Sequence, residues 1–293
     1  MIKVGTSGFS FKDWLGTIYP PTLKSNDMLP YYERVLGFDC TELNYTYYTM
    51  PSSGTMLGLL QKTSDQFMFL VRTHADMTHN IWLDAERTQL KENQEVFDKF
   101  LFGIDPLVKA KRLGCVLIQF PIFFYPKPEN FAYLANCRKW LKDVPAVVEF
   151  RNVAWNHEGT DFFLRDHDLG ICVVDEPKSS RLMPFAPKLT SDIGYFRLHG
   201  RSKNWFGGDK ALRYDYFYSE SELKEFVPHI RSVAEQSRVT YVAFNNCHAG
   251  SAARNALMTK QFLGLIGENF PTTAQRQAMD GHIASPRQEG LDL

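Results

Sequence analysis

The sequence predicts an α/β fold, a single (β/α)8 TIM barrel, and three observations carry that expectation. Eight short runs rich in Val, Ile, Phe or Tyr recur along the chain, each of strand length. The intervals between several of them have helical periodicity. Polar and charged side chains gather at the C-terminal ends of the runs, the face on which such barrels build their sites. With 293 residues, the chain is long enough to bury the core of one such domain.

The runs are "IKVGTSG" (2–8), "FDCTELN" (38–44), "QFMFLVRTH" (66–74), "GCVLIQFP" (114–121), "AVVEFRN" (146–152), "GICVVDE" (170–176), "GYFRLHGR" (194–201) and "TYVAFNN" (240–246). Between the third and fourth, residues 92–113 set Val96 with Phe100, and Phe97 with Leu101 and Ile104, at helical spacing. Pro106 is expected to break that stretch in two. Residues 220–236 put Leu223, Phe226, Ile230 and Val233 on one stripe, opened by a capping box of Ser219 and Glu222. Residues 251–265 read as the last helix. The barrel is expected to occupy residues 1–270. From 271 to 293 the apolar periodicity is lost, and the segment reads as a polar, poorly ordered C-terminal tail.

Lys+Arg and Asp+Glu number 33 each, for a formal net charge of zero. That argues against a general polyanion binder, though not against a local basic pocket. The five Cys include no CxxC, and Cys40, Cys115 and Cys172 lie inside apolar runs. They read as reduced core cysteines of a cytoplasmic protein. Cys247, next to His248, stands apart. No run approaches the roughly 18 apolar residues of a membrane span, and "MIKVGTSG" lacks a leader pattern, so no membrane partner is expected.

The ends of the runs carry the functional reading. In "GYFRLHGR" the two-residue period of a strand sets Arg197, His199 and Arg201 on one face. In a closed barrel that row is expected to meet Glu42, Glu149 and Asp175 across the mouth. Asn44, Arg72, Gln119, Arg151, Asn245 and Asn246 end other runs, with His74 and His79 close behind the third. A network that only closes the mouth needs fewer such ends, and buried ion pairs contribute little to stability. The loops 9–20 and 202–221 add aromatic side chains, among them Phe9, Phe11, Trp14 and Tyr19, with Gly207-Gly208 as a candidate hinge. The alternative for those aromatics is packing on the barrel. Gly250 and Ser251 precede a helix whose free N–H groups would favour an anion.

The stretches "GTSGFSFKDWLGTIYP", "TELNYTYYTMP", "THADMTH", "LIQFP", "VEFRNVAW", "DEP", "YFRLHGR" and "FNNCHAGSAARNA" together resemble the domain-of-unknown-function family 72, a group of uncharacterised TIM-barrel proteins. They run in order over residues 5–256. The resemblance implies the fold and supplies no reaction. Trp155, at the end of one stretch, joins the candidate substrate-binding residues. The chain departs from the family pattern in several places. It has Phe9 and Phe11 where Trp and Tyr are frequent, and no Lys near Arg72. Ile122 stands in place of a second Pro, and Asn152 in place of a His, which weakens a metal or acid/base role at 152.

The reading favoured is an enzyme acting on a small phosphate- or carboxylate-bearing molecule. His199, Glu149 and Glu42 would be the acid/base groups and Arg151, Arg197 and Arg201 the clamp. No cofactor is expected. With a carboxylate within about 4–6 Å, His199 would titrate near neutrality. Phosphate or sulfate is expected near Arg197, Arg201 and the Gly250-Ser251 turn. The alternative is a metal-dependent phosphoesterase or isomerase resembling endonuclease-IV-like barrels. It would draw on Glu42, His74, His79, Glu149, Asp175 and His199. No HxH or HExxH spacing supports it, and the neighbouring Arg residues oppose a divalent metal. A non-catalytic nucleic-acid-binding module would use the aromatic loops with Lys203, Lys210 and Arg213; zero net charge counts against it. A glycosidase pair of Glu42 and Glu149 is disfavoured, because Arg neighbours lower the pKa that a general acid needs raised.

Overall fold

The computed structural model describes residues 1–206, 212–266 and 272–281. Gly207, Gly208 and Lys210 lie outside the described residues, as do positions 282–293. Eight parallel strands close into one barrel in chain order: β1 Ile2–Ser7, β2 Cys40–Leu43, β3 Met68–Arg72, β4 Leu113–Gln119, β5 Ala146–Glu149, β6 Gly170–Asp175, β7 Ile193–Leu198 and β8 Val239–Phe244. β1 returns to β8 with Gly5 opposite Ala243. The eight apolar runs are thus the eight strands of a (β/α)8 barrel.

The helices are α1 Met28–Arg34, α2 Ser53–Gln61, α3 Gln94–Lys109, α4 Pro128–Leu141, α5 Glu158–Asp166, α6 Glu220–Gln236, α7 Ser251–Leu263 and α8 Thr273–Asp280. α6 begins with the capping box anticipated at Ser219 and Glu222, and its stripe Leu223, Phe226, Ile230 and Val233 is buried.

Three features depart from expectation. Helix α3 runs through Pro106 without a break. A proline at this position deprives the Phe102 carbonyl of its helical partner, and the Ser53 hydroxyl at the start of α2 donates to that oxygen at 3.0 Å instead. No α-helix separates β6 from β7. Pro177, Pro184 and Pro187 interrupt that segment, and Phe185 covers the barrel there, its ring 5.0 Å from Phe226 and 6.4 Å from Phe196. The third is the C-terminal segment, where residues 273–280 form α8 rather than a disordered tail. Thr272 and Gln275 cap it, Gln275 donates to the Leu36 carbonyl at 2.9 Å, and Arg254 donates to the Met279 carbonyl at 2.8 Å. Its attachment is largely polar, so apolar periodicity did not reveal it.

All five cysteines are free, and all but the half-buried Cys247 are buried. No helix among the described residues is long and apolar enough to cross a membrane. In loop 9–20, Trp14 and Tyr19 are fully buried. Trp14 donates to the Cys247 carbonyl and Tyr19 to the Phe9 carbonyl, which ties this loop to the end of β8.

Candidate active site at the barrel mouth

Strand alternation points Tyr195 and Arg197 of β7, and His199 just past its end, into the barrel, where they meet carboxylates from other strands. Arg197 is 1% exposed and stands between two glutamates. It donates to Glu42 through Nε (2.9 Å) and Nη2 (2.6 Å), and to Glu149 through Nη1 (3.0 Å). The Tyr195 hydroxyl donates to Glu42 at 2.6 Å, and Asn44 Oδ1 accepts from Arg197 at 3.3 Å. Burial works against charge on both Arg197 and Glu149, yet each charge holds the other. Arg197 is raised well above its ordinary value by Glu149 and Glu42. Glu149 is held well below the usual carboxylate range by Arg197 and Arg151.

A second tier lies above this trio. Arg151 Nε is 2.6 Å from Glu149 Oε1, a close charge contact in which the N–H is not aimed well enough to make a hydrogen bond. Its Nη1 donates to Glu176 at 2.7 Å. Burial pushes the Glu176 carboxyl up to about 7, against the pull of Arg151. The Met183 backbone N–H donates to its other oxygen at 3.2 Å.

The carboxylate anticipated beside His199 is present, with Glu149 Oε1 3.2 Å from Nε2. It does not bring the imidazole to neutrality. Burial first, then Arg151, push His199 down to about 3, so the ring is neutral at physiological pH. Glu149 is ionised and only accepts, so Nε2 carries the proton and Nδ1 is an acceptor. The Asn245 amide Nδ2 then donates to Nδ1, at 2.9 Å.

Arg201 leaves the row. Gly200 turns the chain at φ +87°, and a Cβ there would meet Tyr216 Cβ at 2.6 Å. Arg201 instead pairs with Asp175 at 2.9 and 2.8 Å and with Glu222 at 2.9 Å. The Tyr218 hydroxyl also donates to Asp175, at 2.6 Å. Arg201 and Asp175 therefore fasten α6 to the barrel, and Arg201 lines a separate cavity of about 550 Å³ with Lys178, Lys203, Trp205 and Phe206.

Two other cavities open near the C-terminal ends of the strands. The larger, about 540 Å³, is lined by Arg72, Arg151 and Arg213, with Gln119, His79 and an aromatic wall that includes Tyr47, Tyr48 and Trp205. Arg72 Nε is buried without a hydrogen-bond partner, and its guanidinium sits 4.1 Å from the Tyr47 ring centroid. No carboxylate among the described residues pairs with it. Burial, then Arg197, lower its pKa, but a guanidinium remains charged. His79 is pushed down to about 4 by burial and then by Arg72 and Arg151; its Nδ1 lies 2.9 Å from the Thr78 hydroxyl. The smaller cavity, about 350 Å³, lies between the ends of β1, β2 and β8. It takes in Glu42, Asn44 and Asn245, and it shares Tyr214 with the larger one.

Several candidate residues fall elsewhere. Trp155 is fully buried. It stacks between Phe150 (4.3 Å) and Phe124 (5.4 Å) and donates to the Phe124 carbonyl, so it is a core residue. Gly250 packs against Ile18, and the Ala249 N–H beside it already donates to the Asp13 carboxylate at 2.8 Å. Gly250 and Ser251 line neither cavity, so the anticipated anion site joining them to Arg197 and Arg201 is not assembled. Asn246 lines neither cavity; its Nδ2 donates to the Tyr216 carbonyl and to Asn255, and its buried Oδ1 has no hydrogen-bond partner. Among the described residues no three His, Cys, Asp or Glu side chains converge as a metal site would require, and Arg197 occupies the space between Glu42 and Glu149. Sequence reasoning passed over Tyr47, Tyr48, Trp205, Tyr214 and Glu176 as site residues. "TELNYTYYTMP" placed the first two directly beyond Asn44, and "DEP" placed Glu176 beside Asp175.

A family model described as "Protein of unknown function DUF72" matches residues 3–279. The chain is 30% identical to the UPF0759 protein YunF of Bacillus subtilis (strain 168), over 94% of this chain and 99% of that protein. A crystal structure of a DUF72 family protein from Thermotoga maritima is similar at a TM-score of 0.84 and 43% identity, covering 90% of this chain and 99% of the other. One from Enterococcus faecalis matches at a TM-score of 0.78 and 27% identity, covering 92% and 97%. Sequence, family model and fold agree over nearly the whole barrel: the chain belongs to the DUF72 family.

Proposed function

We propose that the larger cavity binds a small phosphate- or carboxylate-bearing substrate and that proton transfer is carried out on it there. The observation that carries this reading is Arg72. Arg72 is half-buried with its Nε out of reach of water, and a cation so placed favours an anionic partner. Arg197, Arg151 and Arg201 each have one; Arg72 has none among the described residues, and it faces the cavity from its stacked place on Tyr47. A ligand oxyanion would complete it in the geometry a guanidinium favours. Arg151 and Arg213 flank the same space.

The roles first given to His199, Glu149 and Glu42 shift accordingly. Their polar atoms are engaged with Arg197, Arg151, Tyr195 and Asn245, which makes them positioning residues. His79 is the imidazole on the cavity wall, beside Arg72, and is the group placed to exchange a proton with the ligand.

The test is calorimetry and thermal shift with a panel of phosphate- and carboxylate-bearing metabolites at physiological salt. A binding anion should raise Tm with concentration, and Arg72→Gln should abolish the shift. A panel with no binder, or an Arg72→Gln protein that binds as well as the wild type, would overturn the reading.

A further inference from the structure

The smaller cavity has a character of its own. Phe9, Phe11, Leu43 and Tyr45 form its apolar wall, and Tyr214 borders both it and the Arg72 cavity. The Phe11 ring crosses tightly over Gly8, where φ is +96° and an added Cβ would lie 2.8 Å from the ring edge. The wall therefore depends on a glycine that gives it room. At the floor is Ser7, 1% exposed, whose Oγ has no hydrogen-bond partner. A buried hydroxyl left unpaired costs stability. Asn245 spends its Nδ2 on His199, and its Oδ1 accepts no hydrogen bond from the described residues. Glu42, also at this floor, has its charge met by Arg197.

We propose that this cavity seats the uncharged part of the same ligand whose anionic end lies at Arg72, and that this part is an aromatic ring carrying a hydroxyl or ring nitrogen. The proposal rests on the anion reading for the other end of the ligand. Aromatic walls favour a flat partner. A plain alkyl chain would leave Ser7 Oγ and Asn245 Oδ1 unpaired, whereas a polar ring edge satisfies them. The substrate class is then an aryl or heteroaryl phosphate or carboxylate rather than a simple sugar phosphate or an acyl chain.

The probes are inorganic phosphate, 4-hydroxyphenyl phosphate and phenol, measured by calorimetry and by soaking crystals of the full chain. 4-Hydroxyphenyl phosphate should bind about tenfold more tightly than phosphate, or better. Phe11→Ala should erase that advantage and leave phosphate binding as it is. Phenol should appear in the smaller cavity with its hydroxyl on Ser7 Oγ, and Ser7→Ala, which removes only an unpaired hydroxyl, should weaken it severalfold. Equal affinities for the two phosphates, with phosphate still bound, overturn the ring proposal alone. Phenol in the cavity with no phosphate bound anywhere defeats the anion reading and leaves the ring site standing. An empty cavity at saturating phenol removes the ring site.

Discussion

Arg197 and Glu42 form a two-point ion pair across the barrel, with Nε 2.9 Å from Oε2 and Nη2 2.6 Å from Oε1, both side chains out of contact with water. Removing one partner of such a pair strands a buried charge and costs about 3–5 kcal/mol. Glu149 shares Arg197 but also keeps Arg151 at 2.6 Å, so Arg197→Met strands Glu42. Urea denaturation at pH 7 should show a loss in that range. A loss below about 1 kcal/mol would mean that the trio is not the buried network described.

Glu176 gives a second pH signature. Its carboxyl is raised to about 7 in the folded chain, against about 4.3 unfolded. The folded state therefore holds the proton more tightly, and the associated stability is complete below about pH 4 and lost as pH rises through 7. Glu176→Gln keeps the hydrogen bond from Arg151 and removes the titration. Denaturation free energies of the variant, measured from pH 5 to 8, should fall less steeply than those of the wild type. Parallel curves would count against the shift.

His199 behaves in the opposite sense. Depressed to about 3, it stays neutral when folded and would charge near 6.5 when unfolded, so its contribution is lost as pH falls below 6.5. Imidazole nitrogen NMR should show a neutral Nε2–H tautomer from pH 8 down to 5. A midpoint near 6.5 for this residue would refute the assignment.

Trp155 tests the boundary between core and site. Trp155→Phe keeps the stack on Phe150 and Phe124 and leaves the Phe124 carbonyl unpaired, at a cost of about 1–3 kcal/mol. Thermal unfolding should show that loss, while the affinity of any anion that binds the wild type stays within twofold. Loss of binding in a stable Trp155→Phe protein would return Trp155 to the site.

The barrel was legible because its strands are short, apolar and bounded, and because Ser219 and Glu222 announce a helix start through purely local chemistry. The meeting of Arg197, Glu42 and Glu149 followed from the two-residue period alone. Arg201 broke the pattern at Gly200, whose backbone angle no side-chain alternation reveals. The protonation of His199 depends on how completely it is buried and on which charges surround it, quantities set by distant residues such as Arg151. Pro106 was misjudged for a similar reason: the hydroxyl that relieves its unpaired carbonyl comes from Ser53, in another helix.

The trio also bears on how the chain comes together. Glu42 belongs to the first four strands, whereas Glu149 and Arg197 belong to the last four. A C-terminal half-barrel folded on its own would give Arg197 a single carboxylate, and an N-terminal half would shelter Glu42 without its ion-pair partner. Neither half can dehydrate its share of the network until the other arrives. The charge cluster thus works as a latch that penalises half-closed intermediates, and it ties the cooperativity of unfolding to buried side chains beneath the strand ends.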